Sequence, residues 1–131
     1  MIQPTILVTD DSPDIRFLMT RALTKYGYHV VEASNGLDAV RLARRCQPAL
    51  ILLDLSLPGL HGLDVASQIR ADPALEETPI IVMTGYASQA AIRSARLAGC
   101  RSVVSKPFDI DEITREVMAL ATPAGNAPTH A

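Results

Sequence analysis

Ala49-Leu50-Ile51-Leu52-Leu53 is apolar throughout and is followed at once by Asp54. A strand with one wet face alternates apolar and polar residues; a strand covered on both faces does not. The run therefore reads as a strand inside a parallel sheet, ending on an acid. The same texture recurs on either side, in Thr5-Ile6-Leu7-Val8-Thr9 and in Ile80-Ile81-Val82-Met83-Thr84. His29-Val30-Val31-Glu32-Ala33 and Ser102-Val103-Val104-Ser105 are more mixed, as expected nearer the edges of a sheet.

Between these runs the apolar period lengthens to that of a helix. Ile15, Leu18, Met19, Ala22, Leu23 and Tyr26 form one stripe. Ser12 suits its N-cap, Pro13 its first position and Gly27 its end. A second helix is predicted over about residues 36–46, with Leu37, Val40 and Ala43 inward, and Leu63, Ala66 and Ile69 mark a third. A fourth, weakly amphipathic, is predicted over about 88–98 and stopped by Gly99. The fifth opens on Asp109-Ile110-Asp111-Glu112, an acid-x-x-Glu spacing like a capping box, and carries Ile113, Val117 and Leu120. Five strand–helix alternations give an α/β fold, a three-layer doubly wound sandwich around a five-stranded parallel sheet with five helices. Among the usual arrangements at this length is strand order 2-1-3-4-5, whose ligands bind at the carboxyl ends of strands one and three.

A length of 131 residues suits one domain, expected over residues 1–121, with 122–131 lacking any apolar period and expected to be a disordered tail. Hydrophobic residues are 48% and charged residues 20%, enough apolar surface to bury a core. The net charge is −2 and the basic residues are not gathered into runs, which argues against a nucleic-acid partner. No apolar stretch reaches the roughly 18 residues that cross a bilayer. Met1 to Pro4 have no signal-peptide character, so a cytoplasmic protein without a membrane partner is expected. Cys46 and Cys100 read as two buried free thiols.

The acids are the informative residues. Strand one ends in Asp10-Asp11 and strand three in Asp54; strand four ends in Thr84 and strand five in Lys106-Pro107. In the order 2-1-3-4-5, strands one and three are neighbours, so three carboxylates converge. Like charges so crowded repel unless a cation or proton joins them, and losing Asp11 is expected to stabilise the protein when no metal is bound. Mg²⁺, a hard ion that takes oxygen ligands and keeps several waters, suits such a site. Asp54 is then a candidate nucleophile for a phosphoryl group. Lys106 and the Thr84 hydroxyl are placed to stabilise the charge on the transferring oxygens.

Four blocks resemble the signature of response-regulator receiver domains, in particular the single-domain, chemotaxis-regulator-like members. They are Ile6-Leu7-Val8-Thr9-Asp10-Asp11-Ser12, Leu52-Leu53-Asp54-Leu55-Ser56-Leu57-Pro58-Gly59, Met83-Thr84-Gly85 and Ser105-Lys106-Pro107-Phe108. The resemblance implies the flavodoxin-like order and names Asp54 as the phosphoacceptor. It implies Asp11 as a direct Mg²⁺ ligand, Asp10 largely through water, and the backbone carbonyl of Ser56 as another. It further implies Thr84 as the switch hydroxyl and Lys106 as the partner of the phosphate. The implied partners are a sensor histidine kinase or histidine phosphotransfer protein and a downstream protein target, docked near the fourth helix, fifth strand and fifth helix. No output domain and no separate substrate are expected, so the chain is not read as an enzyme in the ordinary sense.

The sequence departs from the family at Val103, where members often carry Tyr or Phe three residues before the lysine. A valine cannot move a ring inward on phosphorylation. The alternative reading is therefore a receiver-like docking module independent of phosphorylation. A Mg²⁺-dependent aspartyl phosphatase needs a second acid two residues after its nucleophile, where Ser56 stands. A flavodoxin needs a phosphate loop after strand one, where Asp10-Asp11 would repel it. His61 reads as a solvated loop residue, Phe108 as core, and Arg93, Arg96 and Arg101 as a solvated face.

Overall fold

The computed structural model describes residues 3–57 and 61–121. The expected tail at 122–131, and Pro58 and Gly59 of the second signature block, lie outside the described residues. Five strands alternate with five α-helices: β1 Thr5–Thr9, α1 Pro13–Lys25, β2 His29–Ala33, α2 Gly36–Cys46, β3 Leu50–Asp54 and α3 Gly62–Arg70. After a 3₁₀ turn over Pro73–Leu75 come β4 Ile80–Thr84, α4 Gln89–Leu97, β5 Ser102–Ser105 and α5 Ile110–Leu120. The sheet is wholly parallel in the order β2-β1-β3-β4-β5, as expected. Strand three begins one residue later than predicted and takes in Asp54 itself, which pairs with Met83.

The unbroken apolar runs follow from the layering. Side chains of a strand point alternately to opposite faces. Leu7, Ile51, Leu53, Ile80 and Val82 enter one core, with Val40, Ala43, Val65, Ala66 and Ile69 of α2 and α3. Ile6, Val8, Leu50, Leu52, Ile81 and Met83 enter the other, with Met19 and Leu23 of α1 and Ile113 and Val117 of α5. A polar residue at any of these positions would be buried on one face or the other, so the alternation is lost. Truncating a fully buried leucine here, such as Leu52, is expected to cost about 2–5 kcal/mol.

The helix faces depart from the sequence reading at three residues. Leu37, expected inward, is 68% exposed, and Leu18 and Tyr26 are 49% and 53% exposed. Three residues advance a helix by only about 300°, so a stripe spaced at i, i+3, i+6 rotates by about 120° along its length. The buried face of α2 is centred on Ala39, Val40 and Ala43, and Leu37 has turned off it. Leu18 likewise lies about 100° from the buried Met19. Tyr26 falls at the C-cap, beyond the last packed turn. Tyr28 is buried instead, its hydroxyl donating to the Ala121 carbonyl at 3.2 Å.

The helix starts are capped largely as their residues predict. Ser12 accepts from Ile15 N, Asn35 from Asp38 N and Ser88 from Ala91 N. At α5 the expected capping box is replaced by a shorter turn: Asp109 accepts from Asp111 N at 2.9 Å. Cys46 is exposed at the end of α2, so only Cys100 is a buried thiol.

Candidate functional site

β1 and β3 are held in step at their carboxyl ends by one hydroxyl. Thr9 Oγ1 donates to the Leu52 carbonyl at 2.7 Å and accepts from Asp54 N at 3.3 Å. Asp10 follows the last residue of β1 and Asp54 is the last of β3, so Asp10 and Asp54 emerge side by side. Oxygens of Asp10, Asp11 and Asp54 lie within 4.8 Å of one another. Asp10 and Asp54 are buried and Asp11 is exposed.

Each buried carboxylate is tied on both oxygens. Asp10 Oδ1 accepts from Ser12 N and Asp54 Oδ1 from Ser56 N, both at 2.9 Å. Their Oδ2 atoms accept from the same ammonium: Lys106 Nζ lies 3.1 Å from Asp10 and 3.0 Å from Asp54. Lys106 reaches them because β5 ends beside β4, where Lys106 N donates to the Thr84 carbonyl at 2.7 Å. The Lys106–Pro107 peptide bond is cis.

The electrostatics follow from this packing. Burial pushes the Asp10 carboxyl above its ordinary value, and the nearby Asp54 adds to that. The Ser12 amide and Lys106 oppose the shift without cancelling it. For Lys106 burial works to lower the pKa, but hydrogen bonds and charge from Asp54 and Asp10 outweigh it, and the net shift is upward. The ammonium therefore stays charged, one cation against three acids. Among the described residues no buried side-chain nitrogen or oxygen lacks a partner.

Thr84 sits on the same edge, buried at the end of β4. Its hydroxyl is turned into its own loop: Oγ1 accepts from Tyr86 N at 3.1 Å and donates to the Tyr86 carbonyl at 3.4 Å. Asp10, Asp11, Asp54 and Lys106 are thus brought into one cluster, while Thr84 stands at its margin. Ser56, two residues after Asp54, is exposed. Val103 is half-buried, and with Ile92, Arg96 and Cys100 it lines a surface hollow of about 290 Å³ beside α4. Phe108 packs against the core as expected, and Tyr86 is 77% exposed. Arg93, Arg96 and Arg101 are exposed, and His61 is exposed but caps α3, its Nδ1 accepting from Leu63 N at 3.2 Å.

Three further contributors have roles that periodicity does not reveal, although Thr9 lies in the first signature block and Gly62 opens a helix start that resembles the family. Thr9 aligns the two acidic strand ends. Gly62 lets α3 start against the acceptor: a Cβ there would lie 2.6 Å from Leu55 Cα and 3.2 Å from the Asp54 carbonyl. Arg16 Nη1 donates to the Asp10 carbonyl at 2.6 Å.

The donor set fits Mg²⁺: hard carboxylate oxygens converge at one sheet edge, too few to enclose an ion and enough to hold one that keeps its waters.

A family model described as the response regulator receiver domain matches residues 6–118. The sporulation initiation phosphotransferase F of Bacillus subtilis is 34% identical over 113 residues, covering 86% of this chain and 90% of that protein. A receiver domain of a Pseudomonas aeruginosa sensor histidine kinase, solved with a magnesium ion coordinated in its active site cleft, superposes with TM-score 0.83. It is 30% identical, with 93% of this chain and 100% of that one covered. A chemotaxis response regulator of Vibrio cholerae matches in fold, with TM-score 0.86 at 24% identity over 91% of this chain and 99% of that one.

Proposed function

Because the chain belongs to the response regulator receiver domain family of two-component signalling proteins, we propose that Asp54 accepts a phosphoryl group from a phosphohistidine. The donor would be a sensor histidine kinase or a histidine phosphotransfer protein. The observation that carries this reading is the Lys106 ammonium lying between the buried carboxylates of Asp10 and Asp54, with Asp11 within reach.

The residues divide the work. An Asp54 carboxylate oxygen attacks phosphorus as the phosphohistidine P–N bond breaks, and the imidazole nitrogen leaves with that electron pair. The Ser56 amide and Lys106 fix the Asp54 carboxylate in one orientation, so attack starts from a set geometry. Lys106 then neutralises part of the phosphoryl charge. The Thr84 hydroxyl, released from Tyr86, rotates to donate to a phosphoryl oxygen. Asp10, Asp11, Asp54 and the Ser56 carbonyl would hold Mg²⁺, which when bound supplies further neutralisation of the transferring oxygens.

The product is a change in a protein-binding surface of the chain itself. On this reading the chain has no separate substrate and is not an enzyme in the ordinary sense. It acts in the cytoplasm on a downstream protein target, with neither nucleic acid nor membrane as partner; among the described residues no helix is long and apolar enough to cross a membrane. A relative named as a phosphotransferase supports a place in a phosphoryl relay.

Incubating the chain with acetyl phosphate and weighing it intact tests the reading. One phosphoryl group should be gained with Mg²⁺ and none without it, and Asp54→Asn should gain none. A wild-type chain that gains nothing would favour the phosphorylation-independent docking module.

A further inference from the structure

We infer that Arg16 is a positioning residue for the acid cluster, fixing the turn that carries Asp10 and Asp11; this rests on the function proposed for that cluster. Asp10 is where β1 leaves the sheet. Its amide still donates to the Ala33 carbonyl of β2 at 3.1 Å. Its own carbonyl is met by Arg16 Nη1 at 2.6 Å. Two further bonds close the segment on itself: Asp10 Oδ1 accepts from Ser12 N at 2.9 Å, and the Ser12 carbonyl accepts from Arg16 N at 3.1 Å. Hydrogen bonds thus close a ring through residues 10–16, the first turn of α1 included, that begins and ends on Asp10, with Asp11 inside it.

Arg16 is itself held from β2, through a carboxylate that Thr20 of α1 also binds. Its Nε donates to Glu32 Oε1 at 3.1 Å, and Glu32 Oε2 accepts from Thr20 Oγ1 at 3.2 Å. Glu32 lies on β2 opposite Val8 of β1. The guanidinium side chain is only 18% exposed, whereas Glu32 is 41% exposed. One planar group therefore spans from the β2 carboxylate to the backbone of the acidic turn, using two different nitrogens. The fixed fork of arginine permits this; a single ammonium does not. Asp11 is exposed, so its orientation comes from the backbone of this turn. An anchor one step removed from the ligands affects a metal site by orienting them, with losses of about 10–100-fold in affinity when it is removed. The same guanidinium adds a second cation near three acids, but charge alone would be served equally by lysine.

The test is Mg²⁺ titration of the full chain, followed by backbone amide shifts well below the melting temperature, for wild type, Arg16→Gln, Arg16→Lys and Glu32→Gln. Both Arg16 variants should weaken Mg²⁺ binding about tenfold. They should also displace the amide signals of Asp10 to Ser12 before any Mg²⁺ is added. Glu32→Gln keeps the arginine and should give a smaller loss in the same direction. If Arg16→Lys binds as wild type, only charge matters and the positioning role is overturned. If both Arg16 variants melt lower yet bind Mg²⁺ as wild type does, the arginine merely supports the fold and the inference fails. If the wild-type chain takes up no Mg²⁺, the functional reading itself falls, and this inference with it.

Discussion

Replacing Asp10 by asparagine should stabilise the protein in the absence of divalent ions. Asp10 is buried, next to a second buried carboxylate, and burial raises its pKa. A carboxyl whose pKa is raised by folding is more easily ionised in the unfolded chain, so its ionisation opposes folding. The destabilisation is absent below the unfolded value of about 4 and grows as pH rises through the folded value. Asparagine removes that loss while keeping the oxygen that accepts from Ser12. It turns an amide toward Lys106, which retains Asp54 as a partner. The misplaced amide offsets part of the gain, so we expect a net stabilisation at pH 7 of the size usual for a single substitution, about 1 kcal/mol. With an unfolding entropy of about 2 cal/mol/K per residue, that is roughly 4 °C in melting temperature for a domain of this size. Melts in EDTA between about pH 3.5 and 8 should show the two proteins converging at the acid end, where Asp10 is protonated in both states. Saturating Mg²⁺ should raise the wild type more than the variant and narrow the gap. An Asp10→Asn protein that melts lower than wild type at pH 7 without metal would refute the argument. The contacts with Lys106 would then outweigh the cost of burial. Asp11, although in the same cluster, is exposed and should change stability by no more than about 0.5 kcal/mol. The strain expected at Asp11 from sequence thus belongs to its neighbour.

Gly62→Ala should destabilise by about 1–3 kcal/mol and shift the Asp54 and Leu55 amides, because a Cβ would press on backbone at 2.6 Å; an unchanged melt and spectrum would contradict this packing. Native alkylation with iodoacetamide at pH 8 should add one label, on Cys46. Cys100 is buried and its thiol is pushed up to about 11 by burial, against the opposing charge of Arg70. Two labels would show that the Cys100 site opens. Beryllofluoride should move amide signals strongly from Thr84 to about Ala91 and near Lys106, since the Thr84 hydroxyl must leave Tyr86. Changes near Val103 should be modest, and strong shifts spread along β5 and α5 would show that a valine transmits the switch after all.

The parallel sheet, the strand order and the meeting of Asp10, Asp11, Asp54, Thr84 and Lys106 at one edge were legible in the chain alone. Runs such as Leu50 to Leu53 record burial on both faces directly, and topology carries every strand end to the same side. Inward helix residues were less legible. A spacing of three or four leaves the stripe's direction open by more than a quarter turn, which is why Leu37 and Leu18 face water. Only the tertiary structure separated the burial of Asp10 from that of Asp11. The two are adjacent in sequence and equal in chemistry, yet a strand end turns one inward under Lys106 and leaves the other exposed. It also decided that Arg16 on α1 would meet Glu32 on β2 and the Asp10 carbonyl. No periodicity marks such a contact. It depends on the height at which one helix crosses one strand, a distance in space that the order of residues along the chain does not encode.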